Sequence, residues 1–184
     1  MSKPHRGVRI IGGQWRGSRI DIAAAAAIRP TPDRVRETVF NWLQKKVANA
    51  VCLDAFAGSG ALGFEAASRG AARVVMIEQD VRAVAALASF SAKVNATQVE
   101  IHCDDALSWI AATALRFDLV FVDAPFATEL WPRALSLLLE GRLNPEATVY
   151  VETPRAAADF DQAWRVLKSA TTRETRYALL RQAG

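Results

Sequence analysis

Four acidic residues, Asp54, Glu78, Asp105 and Asp123, stand at or just past the ends of four short apolar runs, at 51–54, 73–78, 99–103 and 117–122. If those runs are parallel strands, the four carboxylates share one edge of a sheet. Carboxylates gathered at one edge are costly unless a cation or a set of hydrogen-bond donors joins them. The first acid opens a loop of small residues, Asp54-Ala55-Phe56-Ala57-Gly58-Ser59-Gly60. Such a loop lets the backbone approach a ligand, and the helix expected behind it over 61–68 turns its first N–H groups the same way. The last acid opens the tetrad Asp123-Ala124-Pro125-Phe126, directly after the almost wholly apolar run at 117–122.

Gly58, Gly60 and Gly63 match the G-x-G-x-x-G pattern of dinucleotide sites, and Glu78 stands where a ribose-binding acid belongs. A nicotinamide dinucleotide must therefore be weighed. Asp54 argues against it, because a carboxylate at the mouth of the loop repels a pyrophosphate and suits an ammonium group.

The elements that would hold these residues alternate along the chain. Helices are expected over 61–68, 81–94, 106–110 and 130–139, between strands at 51–54, 73–78, 99–103, 117–122 and 147–152. The alternation gives an α/β fold, a mostly parallel central sheet with helices on both faces, and its ligand crevice lies at the carboxyl ends of the strands. A further helix is expected near 155–162, then strands at 164–169 and 173–180 as a closing antiparallel pair. Ahead of this unit, 8–11 and 18–22 read as a hairpin with Trp15 and Arg16 near its tip, and 23–28 as ambiguous. Arg29-Pro30-Thr31-Pro32-Asp33 is a stiff entry, with Thr31 or Asp33 able to cap a helix over 34–47 whose apolar face is Val35, Val39, Trp42, Leu43 and Val47. The expected division is a basic extension, 1–48, and a compact domain, 49–184.

Charge is distributed unevenly. Residues 1–50 carry ten Lys/Arg against three acids, a net +7, whereas the remainder carries thirteen against sixteen, a net −3. An extension built this way suits a polyanion, and Arg9, Trp15, Arg16, Arg19, Arg34 and Arg36 are the expected nucleic-acid contacts. No apolar run is long enough for a bilayer, and the start Met1-Ser2-Lys3-Pro4-His5-Arg6 lacks the apolar segment of a signal peptide. A cytoplasmic monomer with no membrane contact is expected. Cys52 and Cys103 both read as buried free thiols in core strands. With His5 and His102 as the sole histidines, no metal site is expected.

Two motifs carry a resemblance. Asp54-x-Phe56-x-Gly58-x-Gly60 resembles the first motif of S-adenosylmethionine (SAM) methyltransferases of the Rossmann-like class. Asp123-Ala124-Pro125-Phe126 resembles the Asp/Asn-Pro-Pro-aromatic motif of enzymes that methylate exocyclic amino groups. Read with Gly12-Gly13-x-Trp15-Arg16-Gly17 and with 29–43 (RPTPDRVRETVFNWL), they make nearly the whole chain similar to the bacterial 16S ribosomal RNA guanine-N2 methyltransferase family of the small subunit. The resemblance implies SAM as cofactor, with Asp54, Phe56, Ala57, Gly58 and Gly60 around its methionine half, Glu78 on its ribose, and Asp105 and Ala106 at its adenine. It implies Asp123, Ala124, Pro125 and Phe126 as the catalytic group, and ribosomal RNA or the small ribosomal subunit as partner. Ala124 stands where that family has the first proline of its tetrad. The tetrad does not distinguish amino-bearing bases, so an adenine amino-methyltransferase on DNA or RNA is the alternative enzyme. A catalytically silent RNA-binding assembly factor is the alternative outside enzymes.

Overall fold

The computed structural model describes residues 7–21, 31–126 and 129–184. The basic start 1–6, the alanine-rich stretch and Arg29-Pro30 lie outside the described residues. Each expected strand from 51 to 122 forms: β3 (Val51–Asp54), β4 (Arg73–Glu78), β5 (Val99–Cys103) and β6 (Phe117–Val122) are parallel neighbours in one sheet. Between them run α2 (Ala61–Ser68), α3 (Val81–Lys93) and α4 (Ala106–Ala112). Then α5 (Leu130–Leu139) leads to β7 (Leu143–Pro154), and β8 (Trp164–Thr171) and β9 (Thr175–Gln182) close the chain.

The sheet has seven strands in the order β5-β4-β3-β6-β7-β9-β8, with β9 antiparallel to both its neighbours. The chain moves outward from β3 to β5 and then returns to β6. The carboxyl ends of β3 and β6 therefore flank a topological switch point, where a crevice opens. β6 sits at the centre and is buried on both faces, which is why its run Phe117-Asp118-Leu119-Val120-Phe121-Val122 carries almost no polar residue. Its one acid, Asp118, accepts the Val51 N–H and the Asn144 side-chain amide, each at 2.8 Å, and so ties the strand to both sides.

Apolar clusters cover the two faces. Val39 and Phe40, Phe64, and Leu87 and Phe90 pack on one, from α1 (Asp33–Trp42), α2 and α3; Leu107 and Ile110 of α4 and Leu135 and Leu138 of α5 pack on the other. No helix among the described residues is long and apolar enough to cross a membrane.

Several local expectations fail. α1 ends at Trp42 rather than at 47; the turns that follow still bury Leu43 and Val47 in the same cluster, so packing needs no further helix. Pro32, not Thr31 or Asp33, occupies the cap position, and no side chain caps the helix. No helix forms at 155–162. The Arg155 N–H bonds the Glu174 carbonyl at 2.9 Å, so the chain continues the β7–β9 pairing, and Phe160 then packs edge-on against Trp131. Cys103 is exposed, because β5 is an edge strand and Cys103 is its last residue; Cys52 is buried as expected.

The amino-terminal hairpin, β1 (Gly7–Arg9) with β2 (Arg19–Asp21), is pinned to α2 by one carboxylate. Glu65, fully buried, accepts the Ile11 and Gly12 N–H groups at 2.8 Å each and the Arg69 Nε at 2.7 Å, and lies 3.6 Å from the Arg36 guanidinium. Arg36 in turn donates to the Arg9 carbonyl at 2.9 Å and to Asp33 at 2.6 Å. One turn later Ser68 takes the Gln14 and Trp15 N–H groups and donates to the Gly12 carbonyl. Gly13 has φ +76°, and a Cβ there would collide with the Ser68 backbone, so this close approach requires glycine. Two expected RNA contacts are thereby corrected. Trp15 is buried against Phe64, with ring centroids 6.4 Å apart, and Arg36 is fully buried in the ion pair.

Removing one partner of a buried ion pair strands the other charge in low dielectric. Glu65→Ala should therefore lower unfolding free energy by about 3–5 kcal/mol in denaturant titrations. A decrease below about 1 kcal/mol, the scale of an exposed pair, would show that the hub is not structural.

Candidate active site

A cavity of about 610 Å³ opens at the switch point. Its walls bring together the β3 loop, the ends of β4 and β5, the 123–126 turn, the start of α1 and the β8–β9 turn. Of the expected site residues, Asp54, Phe56, Ala57, Gly58, Glu78, Asp105, Ala106, Asp123, Ala124, Pro125 and Phe126 line it. Gly60, the cap of α2, stands behind the wall with φ +75°.

Asp54 is the floor. It is 1% exposed, and one oxygen, Oδ2, accepts the Gly63 N–H at 2.9 Å. A Cβ on residue 63 would meet the Met76 side chain and stand 3.0 Å from that same oxygen, so only glycine lets α2 come this close. The other oxygen, Oδ1, is buried with no hydrogen-bond partner among the described residues. Burial pushes the Asp54 carboxyl up to about 7; the Gly63 N–H opposes this, and the charges of Asp123 and Glu78 add to it.

Glu78, at the end of β4, accepts the Gly58 N–H through Oε2 and the Asp80 N–H through Oε1, both at 2.8 Å. It thus fixes the small-residue loop and faces the cavity at once. Asp105 caps α4: its side chain accepts the Ser108 N–H at 2.9 Å, and this bond holds its carboxyl below the usual range. It is exposed, and the cap accounts for its residue type.

Asp123 follows β6, two positions beyond Phe121, the register partner of Asp54. Thr31 donates its hydroxyl to Asp123 Oδ2 at 2.6 Å. Burial raises the Asp123 carboxyl above its ordinary value, and the Thr31 bond works in the opposite direction. Ala124 is buried, Pro125 is exposed, and the Phe126 ring is 45% exposed at the rim. The placement of Thr31, open from sequence, is thus beside Asp123; Arg34 is exposed, the second residue of α1.

Sequence reasoning passed over Glu152. It ends the expected fifth strand, at the same edge as the other four acids, and it lines the cavity while buried. The strand-end rule that selects Asp54, Glu78 and Asp123 selects it too. Among the described residues no cluster of His, Cys, Asp and Glu could hold a metal ion.

The donor set fits SAM. The unpartnered, buried Asp54 Oδ1 suits an ammonium, Glu78 at the strand end suits a diol, and the acidic lining disfavours a dinucleotide's pyrophosphate. Asp54 also sets a test. A carboxyl raised by folding favours the folded state below its unfolded value of 3.8, and that advantage is lost as pH rises toward about 7. The ligand-free protein should lose stability across this window relative to Asp54→Asn, whose amide does not titrate. Parallel curves of melting temperature against pH would show that Asp54 does not carry the shift.

The sequence pattern of a family described as conserved hypothetical protein 95 matches residues 8–181. A curated relative from Escherichia coli (strain K12), named ribosomal RNA small subunit methyltransferase D, is 44% identical over 83% of this chain and 80% of its own length. A protein of the same name from Haemophilus influenzae is 40% identical over 94% of this chain and 92% of its own. Among solved structures, a putative methyltransferase from Escherichia coli superposes with a TM-score of 0.88 at 38% identity, covering 96% of this chain and 98% of that one. The fold is that of the Rossmann-like SAM methyltransferases, and the chain belongs to the conserved hypothetical protein 95 family, whose curated relatives are named ribosomal RNA small subunit methyltransferase D.

Proposed function

We propose that this protein methylates the exocyclic 2-amino group of a guanine in small-subunit ribosomal RNA, using SAM. The observation that supports it best is a single cavity that brings the buried Asp54, with its unpartnered oxygen, together with the 123–126 turn. The relatives' names supply the methyl transfer and the RNA; the amino group is read from the turn.

When bound, SAM supplies an electrophilic methyl group. Asp54 holds the ammonium of its methionine half, Glu78 its ribose hydroxyls, and the surface beside Asp105 and Ala106 its adenine. At the 123–126 turn, Asp123 and the Ala124 carbonyl accept the two N–H bonds of the guanine amino group. The nitrogen lone pair is delocalised into the ring and a poor nucleophile; holding both protons favours a pyramidal nitrogen with the lone pair free for attack. Asp123, already raised by burial, takes up the proton the nitrogen loses after transfer. Thr31 keeps the Asp123 carboxyl in one orientation, and Phe126 stacks on the base. The exposed Arg9, Arg16, Arg19 and Arg34 contact RNA phosphates, in the cytoplasm.

Two measurements test this reading. In single-turnover methylation of unmodified small subunits, Asp123→Ala should slow transfer by about 10²–10³-fold, the scale of one missing transition-state hydrogen bond. SAM affinity by calorimetry should stay nearly unchanged. Turnover like the parent's would remove Asp123 from the mechanism. Separately, Arg16→Ala with Arg19→Ala should reduce the salt dependence of RNA binding by about 0.7 in log–log slope for each phosphate no longer neutralised. Point substitutions are needed, because deleting the first 22 residues would also remove Ile10, Trp15 and Ile20 from the core. An unaltered slope would place the RNA elsewhere.

A further inference from the structure

Beside Asp123 lies a second buried carboxylate that the mechanism does not use. Val122 of β6 pairs with Val151 of β7, so Asp123 and Glu152 are the next residues on two adjacent parallel strands and point to the same face. Glu152 is 6% exposed and lines the cavity. Tyr150, two residues earlier on that face, donates its hydroxyl to Glu152 Oε2 at 3.0 Å and fixes the carboxylate. Burial, and with it the charges of Glu152 and Asp123, pushes the Tyr150 hydroxyl far up, which places the three groups in one patch. A carboxylate has about four acceptor directions, so its bond with Tyr150 does not exclude another donor.

Nucleobase edges differ at the atom next to the amino group. In guanine the ring nitrogen N1, beside the 2-amino group, carries a hydrogen and is a donor. In adenine the ring nitrogen N1, beside the 6-amino group, carries a lone pair and is an acceptor. If Asp123 and the Ala124 carbonyl take both amino protons, the next atom along the base edge meets whatever stands next to Asp123. A donor left there without a partner gives up its water for nothing, and an acceptor set against a carboxylate is repelled.

We infer that Glu152, held by Tyr150 beside Asp123, accepts the N1–H of the target base and selects guanine over adenine. This rests on the guanine 2-amino reading above and adds the residue that would enforce it. Glu152 is a specificity residue: it contacts the base at an atom that does not react.

The test is a double comparison. Small subunits are reconstituted with ligated RNA carrying either guanine or 2-aminopurine at the methylated nucleotide. 2-Aminopurine keeps the 2-amino group but has a lone pair at N1. Its other changes, the missing oxygen and altered nucleophilicity, are common to every enzyme variant and cancel in the ratio. The parent should prefer guanine in kcat/KM by at least about tenfold, the scale of one hydrogen bond to a charged group. Glu152→Ala should lose activity on guanine and reduce that preference by about tenfold. Glu152→Gln keeps the volume, and its amide can turn either oxygen or NH2 to N1, so it should reduce the preference likewise; it stands in if the alanine variant unfolds. A parent without preference, or an undiminished preference in a folded variant, overturns the inference while leaving guanine methylation intact. Label recovered on an adenine amino group overturns the proposed function itself, and this inference with it.

Discussion

The orientation of Asp123 in the cavity depends on a carboxylate that never reaches it. Glu65 sits under the amino-terminal segment and is the common partner of two hairpin amides and two arginines. Three hydrogen-bond donors and the Arg36 guanidinium 3.6 Å away compensate the desolvation of that charge. Through Arg36 it fixes the axis of α1, and α1 begins just past Thr31, whose hydroxyl orients Asp123. The sheet alone would supply Asp123 at a strand end; the rotamer comes from a helix that is itself anchored to α2.

The cavity is crowded with negative charge. Asp54, Glu78, Asp123 and Glu152 gather at the ends of β3, β4, β6 and β7, and Arg173, on the β8–β9 turn, is the one cationic side chain among the described residues that line it. Asp54 shows the consequence: burial first, and then the neighbouring acids, hold its carboxyl near 7. A ligand ammonium would reverse that shift, so binding and proton release are coupled by the site's own construction. The same crowding is unfavourable to phosphates and admits a neutral base.

The sheet was legible because its strands are short apolar runs ending in acids or small residues. Those acids end strands because they face the crevice, so one signal reports both element and site. Legibility failed where tertiary contacts overrule residue type. Arg36 reads as a surface cation on the polar side of a helix, and nothing in its local sequence reveals the buried Glu65 that holds it. Trp15 reads as a hairpin tip, but the tip lies on α2 and the indole fills the space above Phe64. Residues 155–162 have a helical composition, but Arg155 at their start extends the strand pairing to Glu174 and the rest form turn and irregular chain. Glu152 obeys the strand-end rule as well as Asp54 does; it escaped notice because the family resemblance fills every role at the site without it.

Ala124 bears on how much of a catalytic turn must be rigid by covalent means. A proline there would restrict one dihedral angle; alanine is freer in isolation. In place, however, Ala124 is buried, Pro125 keeps it out of the helical region, and the residue before it is tied to Thr31. Packing and one hydrogen bond thus supply from the surroundings what the ring would supply from within. The carbonyl proposed to accept an amino proton belongs to the backbone and is indifferent to the side chain. What the substitution transfers is dependence: the geometry of the turn now rests on α1 staying in place, and therefore on the Glu65 anchor beneath it.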